Sequence, residues 1–303
     1  MPTPVDAVML QQRAAQLGRR SIKTTSKAAA LQMAVSMLDL TTLEGADTPG
    51  QVRALCARAK APCPRDLGID VPPVAAACVY PRLVPAAVEA LEGSPVRIAS
   101  VATAFPSGQS SLDLRLKETQ AAVGAGAHEI DMVISRGLFL SGRQRDVVDE
   151  IRMVRAAAGD AHLKVILETG ELETADNIRR GADCVLEAVA SESDLGHGEV
   201  FLKTSTGKVS PAATPSSVLI LLEAARAHYR STGIRLGVKP AGGIRRSKQA
   251  LHLLVMVRET LGPHWLTPAL FRIGASSLLD DLVRQLIKLR SGRYASLDEV
   301  GIT

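Results

Sequence analysis

The chain of 303 residues is 46% hydrophobic and 22% charged, a composition that supports a sizeable folded core and excludes a disordered protein. Its formal net charge of +5 favours an anionic partner. No basic block exceeds two residues, and no aromatic residues are interleaved with basic ones to stack on bases. An anionic metabolite is therefore a better candidate ligand than nucleic acid.

The cysteines and the apolar segments indicate the compartment. The four cysteines have neither the spacing of a zinc site nor that of a redox motif, so we expect reduced thiols in a reducing compartment. The N-terminus lacks the basic-then-apolar pattern of a secretory leader, and no apolar run approaches the ~18 residues of a membrane span. We expect a cytoplasmic protein that does not associate with membranes.

The predicted elements begin with an N-terminal arm, residues 1–34, which is rich in Gln, Arg and Lys and has some helical tendency. Residues 35–303 are expected to form one domain, because no linker or change in composition divides them. Apolar segments alternate there with helical ones. The eight predicted strands cover residues 34–43, 75–80, 96–101, 128–134, 163–168, 199–203, 234–239 and 270–274. The helices that follow them cover residues 49–60, 85–91, 112–123, about 145–158, 175–189, about 215–228, a segment from 247, and 278–291.

Local signals support several of these helix boundaries. Thr48 and Thr214 each precede a proline and are predicted N-caps, and Gly292 is predicted to end the last helix. Eight strand–helix pairs in about 260 residues predict an α/β fold, a single (β/α)8 TIM barrel preceded by the helical arm. The alternative is a doubly wound open sheet, which would need fewer strands or a separate domain.

Two lysines close apolar strands. Lys203 ends the sixth predicted strand and Lys239 the seventh. Burying a charged lysine is costly, so such an amine is expected to have a lowered pKa and to act as a nucleophile. A second lysine nearby would repel its proton and strengthen the effect. This pattern predicts an enzyme that forms a Schiff base.

Other polar residues interrupt apolar strands at the same predicted end of the barrel, where the active sites of this fold lie. Asp131 is expected to be an acid/base group, the alternative being a salt-bridge residue. Asp39 is either a structural anchor or a substrate ligand. Cys78 is either a small core residue or a site residue, and Glu168 is left unassigned.

The last three loops of the predicted barrel have the features of a phosphate site. They offer backbone N–H groups, glycines that allow close approach and one cation; the residues are Thr206, Gly207, Lys208, Gly242, Gly243, Ser276 and Ser277. The alternative is that these are ordinary turn glycines and helix-capping serines. No nucleotide-binding or metal-binding motif is present, so we expect covalent chemistry with no cofactor and no metal.

The sequence resembles the class I deoxyribose-phosphate aldolase family. The similarity extends over about residues 34–290, and the segments around Lys203 and Lys239 are the most specific. The matching segments are Leu38-Asp-Leu-Thr-Thr-Leu43, Cys78-Val-Tyr-Pro81, Glu129-Ile-Asp-Met-Val133, Leu163-Lys-Val-Ile-Leu-Glu-Thr-Gly-Glu-Leu172, Phe201-Leu-Lys-Thr-Ser-Thr-Gly-Lys208, Val238-Lys-Pro-Ala-Gly-Gly-Ile-Arg245 and Arg272-Ile-Gly-Ala-Ser-Ser-Leu-Leu279.

The resemblance implies a reversible aldol cleavage of 2-deoxy-D-ribose 5-phosphate, part of deoxyribose catabolism. Lys203 would form the Schiff base, and Asp131 and Lys239 would shuttle protons. The last three loops would hold the phosphate, and Asp39 and Cys78 would line the pocket near the sugar hydroxyl and the aldehyde. Tyr294 is not placed in the site.

The sequence leaves three alternative functions open, and it does not settle the oligomeric partner. The chain could be another Schiff-base barrel, such as a transaldolase or a different phosphosugar aldolase. It could also be a catalytically silent barrel that binds anions, or one that binds nucleic acid through its positive charge. A homo-oligomer, a dimer, is expected, although no residue indicates the interface.

Overall fold

Eight parallel strands alternate with helices along the chain and form one sheet. The structure is a computed structural model that describes residues 4–20, 22–64, 67–190, 192–296 and 300. The strands are β1 (Leu38–Thr41), β2 (Ala76–Val79), β3 (Arg97–Ala102), β4 (Glu129–Val133), β5 (His162–Ile166), β6 (Val200–Lys203), β7 (Gly237–Lys239) and β8 (Ile273–Ala275).

Helices cover the outer face of the sheet. They are α1 (Ala7–Gly18), α2 (Thr24–Ser36), α3 (Pro49–Lys60), α4 (Val84–Leu91), α5 (Leu112–Gly124), α6 (Arg136–Leu140), α7 (Gln144–Ala158), α8 (Ala175–Val189), α9 (Pro215–Thr232), α10 (Ser247–Leu261) and α11 (Leu278–Ser291). Within the described residues, no helix is long and apolar enough to cross a membrane.

The sheet closes on itself. Its strand order is β7-β6-β5-β4-β3-β2-β1-β8, and parallel bridges join Val238 to Phe271 and Ala241 to Gly274 between the two ends. The amide of Val238 also donates a hydrogen bond of 3.0 Å to the carbonyl of Leu270. The predicted (β/α)8 barrel is confirmed, and the open-sheet alternative is excluded.

The predicted caps are present. Thr48 accepts a hydrogen bond from the amide of Gln51, whose side chain caps Thr48 in return, and Thr214 and Ser217 form the same reciprocal pair at α9. These interactions satisfy amides that the first turn of each helix leaves without a partner.

Several predicted boundaries were wrong. The first strand was predicted from residue 34, but α2 continues to Ser36 and β1 begins only at Leu38. Residues 34–38 are all buried apart from Ser36, so hydrophobic periodicity could not separate the helix from the strand. The seventh strand begins at Gly237, later than predicted, and the eighth is Ile273–Ala275, while the short helix α6 was missed.

Two kinds of side chain fill the barrel. One half, around β2 and β3, holds small apolar residues, namely Ala76, Cys78, Ala99 and Val101, with Val133 and Ile166 beside them. The other half holds buried charges from β1, from β4 to β7 and from Arg272, which precedes β8. A larger apolar core lies between the strands and the surrounding helices. The charged half of the interior is where the chemistry is concentrated.

Candidate active site

The strand register places the two predicted lysines side by side. Lys203 and Lys239 are direct partners in the β6–β7 pairing, so both side chains point into the barrel at the same level. Asp131 lies on β4, where it pairs with Lys164 of β5, and Lys164 in turn pairs with Phe201, two positions before Lys203. A Cβ at position 274 would lie 3.1 Å from Cε of Lys239, so Gly274 leaves room for that side chain.

Both amines contact the same carboxylate oxygen. Oδ2 of Asp131 lies 2.6 Å from Nζ of Lys203 and 2.7 Å from Nζ of Lys239, and all three side chains are almost completely buried. The structure therefore brings the three predicted catalytic residues together. Their arrangement allows a proton to pass between the two amines through one carboxylate.

The two lysines differ in their second partner. Nζ of Lys239 also lies 2.5 Å from Oδ2 of Asp39. Burial alone would lower the pKa of Lys239, but Asp131 and Asp39 together raise it well above its usual range. Burial also lowers the pKa of Lys203, and the charge of Lys239 adds to this, so that the single carboxylate Asp131 does not restore it. Lys203 is therefore the amine that loses its proton more readily.

A second layer of charges lies below this group and was missed by the sequence analysis. Nζ of Lys164 lies 3.0 Å from Oδ1 of Asp131 and also contacts Glu129. The guanidinium of Arg272 contacts Glu129 at 2.9 Å and Asp39 at 2.6 Å. Glu129 begins β4, Lys164 lies within β5 and Arg272 immediately precedes β8, so none of them stands at the carboxyl end of a strand, where site residues were sought. Glu129 stands two positions before Asp131, a spacing that places both on one face of a strand and could have indicated it.

The two layers are not electrically balanced. The four buried cations Lys164, Lys203, Lys239 and Arg272 face the three buried carboxylates Asp39, Glu129 and Asp131. Burial raises the pKa of Asp131, but the surrounding lysines, Lys164 first, hold it well below its usual range, so its charge persists. One cation is left without a matching anion, and loss of the proton from Lys203 removes that excess.

A cavity of about 390 Å³ opens above the lysines at the carboxyl ends of the strands. It is lined by Lys203 and Lys239 and by all seven residues of the predicted phosphate site: Thr206, Gly207, Lys208, Gly242, Gly243, Ser276 and Ser277. Three of its glycines have a positive φ, between 76° and 82°. Ser276 and Ser277 precede α11, so the positive end of this helix faces the cavity.

Glu168, unassigned from the sequence, supports one of these loops. It is buried, has a φ of 54°, and accepts hydrogen bonds from the amide of Thr206 at 3.2 Å and from its hydroxyl. Burial raises the pKa of this carboxyl. The hydroxyl of Thr206 in turn accepts a hydrogen bond from the amide of Lys208 at 3.1 Å. Glu168 therefore fixes the loop that carries the predicted phosphate cation.

The two other candidates, Cys78 and Asp39, lie away from the cavity, as does Tyr294, which the sequence left outside the site. Cys78 is completely buried in the apolar half of the barrel, where burial raises its pKa to about 11. Asp39 lies beneath the cavity, in ion pairs with Lys239 and Arg272. Tyr294 packs on the outside of α11, with its ring centroid 4.2 Å from Nζ of Lys288. Of the predicted site residues, only the two lysines and those of the last three loops line the cavity.

Comparisons with known proteins agree with this geometry. A family model described as DeoC/LacD family aldolase matches residues 33–282. The chain is 45% identical to a deoxyribose-phosphate aldolase of Mus musculus, over 98% of this chain and 93% of that protein. It is also 45% identical to the enzyme of Homo sapiens, over 95% and 91% of the two chains.

A solved structure supports the same relationship. The tetrameric deoxyribose phosphate aldolase of Aeropyrum pernix is 25% identical, with a TM-score of 0.62 over 96% of this chain and 100% of that one. The shared barrel, the paired lysines and the extent of the sequence identity lead to one conclusion: this chain belongs to the DeoC/LacD family of aldolases.

Proposed function

We propose that this aldolase cleaves 2-deoxy-D-ribose 5-phosphate reversibly to D-glyceraldehyde 3-phosphate and acetaldehyde, through a Schiff base on Lys203. The observation that carries this assignment is the pair of lysines on one oxygen of Asp131 at the floor of the cavity. The near full-length similarity to deoxyribose-phosphate aldolases supports the substrate. The reaction serves the catabolism of deoxyribose phosphate.

The first steps require a neutral amine. Nζ of Lys203 attacks the aldehyde carbon C1 of the open-chain sugar to form a carbinolamine, and loss of water yields an iminium ion. Asp131 receives and returns protons in these steps, because its Oδ2 contacts Nζ of both lysines. Lys239, protonated in the free enzyme, lowers the pKa of Lys203 and gives its proton to the departing water; it is reprotonated when the imine is hydrolysed.

Bond cleavage follows from the positive charge of the iminium. The proton of the C3 hydroxyl passes through water to Asp131, the C2–C3 bond breaks, and its electron pair moves to C2 to form an enamine. The carbonyl formed at C3 leaves as D-glyceraldehyde 3-phosphate. Asp131 returns this proton to C2 of the enamine, and hydrolysis of the resulting imine releases acetaldehyde and restores the amine.

The remaining sequence predictions belong to this proposal. The last three loops hold the phosphate, supported by their amides, the α11 N-terminus and Lys208. Asp39 and Cys78 were predicted to line the pocket near the sugar hydroxyl and the aldehyde, but neither lines the cavity; Asp39 acts instead through its ion pair with Lys239. The arm, residues 1–34, precedes one catalytic domain, residues 35–303, in a cytoplasmic homodimer.

Reductive trapping tests the proposal. The protein is incubated with acetaldehyde, reduced with borohydride and digested, and the added two-carbon mass is located by mass spectrometry. We expect the adduct on Lys203 and its absence in Lys203→Gln, a variant that replaces a readily neutralised amine by a neutral side chain and keeps the fold.

The matched control is Lys239→Gln, which removes the other lysine of the cavity. It should retain the adduct on Lys203, formed more slowly. An adduct on Lys239 in the unsubstituted protein would exchange the two roles, and the absence of any selective adduct would exclude the Schiff-base mechanism. Dihydroxyacetone phosphate as the donor should give no adduct; trapping of this ketone would favour a different phosphosugar aldolase.

A further inference from the structure

A carboxylate lies inside the cavity that we assign to the phosphate. Glu44, in the loop between β1 and α3, is one of the lining residues, and its Oε1 lies 2.6 Å from Nζ of Lys208. This ion pair joins the loop after β1 to the loop after β6. A carboxylate and a phosphate dianion repel each other, so the carboxylate beside this ammonium group opposes the binding of a phosphate to the same group.

The loop that carries Glu44 is held by its own hydrogen bonds. The hydroxyl of Thr42 donates to Oδ1 of Asp47 at 2.7 Å, and the amide of Glu44 donates to Oδ2 of the same residue at 2.9 Å. The amide of Asp47 donates to the carbonyl of Glu44 at 3.1 Å. The side chain of Glu44 is 73% exposed, in contrast. Its carboxylate can therefore rotate away from Lys208 while the backbone stays in place.

We propose that Glu44 determines the phosphate specificity of this enzyme: its carboxylate neutralises Lys208 in the free protein and is exchanged for the phosphate of the substrate. The inference rests on the proposed function, since it takes Lys208 to be the cation of the phosphate site. An ion pair between exposed side chains is weak, so the exchange is readily reversible.

The exchange has a measurable consequence. A phosphate must break the ion pair between Glu44 and Lys208, so its binding free energy is less favourable by the free energy of that pair. A sugar without phosphate leaves the pair intact. Glu44 thus lowers the affinity for phosphorylated ligands without contacting the reacting carbons. Exposed ion pairs of this type correspond to about a two- to fivefold change in affinity.

Calorimetric titration of the full chain with inorganic phosphate tests the proposal. We expect Glu44→Gln to bind phosphate about two- to fivefold more tightly. Lys208→Met should bind phosphate more weakly. Adding Glu44→Gln to Lys208→Met should not raise the affinity for phosphate again, because the exchange needs the ammonium group. The matched control is Glu89→Gln, which removes a carboxylate of similar exposure, 70%, that pairs with Arg53 outside the cavity; it should leave the affinity unchanged.

A steady-state measurement provides a second readout. The ratio of kcat/KM for 2-deoxyribose 5-phosphate to that for unphosphorylated 2-deoxyribose should rise two- to fivefold in Glu44→Gln. A merely structural role of Glu44 would lower both values and leave the ratio where it was.

The opposing outcomes are distinct. If Glu44→Gln raised the affinity for phosphate equally with and without Lys208, the effect would be a general one of negative charge. If it left that affinity unchanged or lowered it, Glu44 would be a support for the phosphate. Either outcome overturns the exchange. If neither the unsubstituted protein nor Glu44→Gln binds phosphate, the phosphate site itself is wrong. Trapping on Lys203 would still report separately on the aldolase chemistry.

Discussion

The two lysines of the cavity differ by one carboxylate contact. Lys203 contacts Asp131, whereas Lys239 contacts Asp131 and Asp39. The better-paired amine keeps its proton, and its charge then opposes protonation of its neighbour. The two residues end adjacent strands in the same register, so position alone would not have distinguished the nucleophile from its partner.

Lys239→Gln should reveal this coupling in the pH dependence of imine formation. The pKa of Lys203 lies below its ordinary value of 10.5 partly because of Lys239. Without that charge the pKa rises, so a higher pH is needed to obtain the neutral amine. We expect the rising limb of the trapping rate with acetaldehyde to move to higher pH. Loss of the proton donor should also lower kcat for the sugar phosphate by about 10²–10⁴-fold.

Lys117→Gln is the control for this experiment, since it removes an exposed lysine of α5 that pairs with Asp113 at 2.8 Å. Its profile should coincide with that of the unsubstituted protein. A limb that stays in place in Lys239→Gln would mean that burial and Asp131 alone set the pKa of Lys203.

The sequence could identify Lys203 and Lys239 because each is a charged residue at the end of an apolar strand, and Asp131 because it is a charge within one. It did not identify the layer of Glu129, Lys164 and Arg272. Only the spacing of Glu129 from Asp131 pointed to that layer, whose contacts depend on which strands meet inside the closed barrel. The pair of Glu44 and Lys208 joins residues 164 positions apart, and only the closed barrel brings them together.

At the scale of loops and strands, the phosphate site depends on the contact of two backbones. A Cβ at position 242 would lie 2.6 Å from Cβ of Ala212 and 2.9 Å from Cα of Gly207. Gly242 therefore allows the loop after β7 to approach the loop after β6. Its neighbour Gly243 has a similar φ of 76°, but a Cβ there would have no neighbour within 4 Å.

Gly242→Ala and Gly243→Ala form a matched pair. Both impose a left-handed backbone on alanine, at a cost of about 1–2 kcal/mol in the free energy of unfolding. Only Gly242→Ala also pushes the two loops apart. We expect Gly242→Ala to raise KM for the sugar phosphate by tenfold or more, which corresponds to a loss of about 1.4 kcal/mol of binding free energy. Gly243→Ala should change KM little. Urea unfolding and steady-state kinetics measure the two effects; equal KM values would show that the loops tolerate separation.

Strand order and helix caps could be predicted because their signals are local, whereas the ends of β1, β7 and β8 could not. Closure of the barrel between β7 and β8 relies on isolated bridges and loop hydrogen bonds, such as that from Gly274 to the carbonyl of Pro240 at 2.9 Å. Such pairs leave no period-two pattern in the sequence. Strands β7 and β8 are therefore short, and the long loops that carry the site follow at their carboxyl ends.

At the scale of the whole molecule, the N-terminal helices are attached to the barrel on the side of α9 and α10. Leu10, Ala14 and Leu17 of α1 are buried, and α1 packs on both of those helices. Arg13 pairs with Glu223 of α9, and Arg20 lies 2.6 Å from Glu259 of α10. Helix α2 leads directly into β1 and packs on α10 and α11. We infer that arm and barrel unfold as one unit.

Leu17→Ala tests that inference. Leu17 is 6% exposed, so its truncation should cost about 2 kcal/mol, the lower end for a buried leucine. Circular dichroism reports on all helices, whereas the fluorescence of the single tryptophan, Trp265, reports on the barrel, where its Nε1 donates to the carbonyl of Leu236 at 3.0 Å. One cooperative unit predicts that both signals move together to a lower temperature. Val8→Ala, at a position that is 66% exposed, should move neither. A circular dichroism transition that precedes the fluorescence change in Leu17→Ala would instead make the arm a separately unfolding segment.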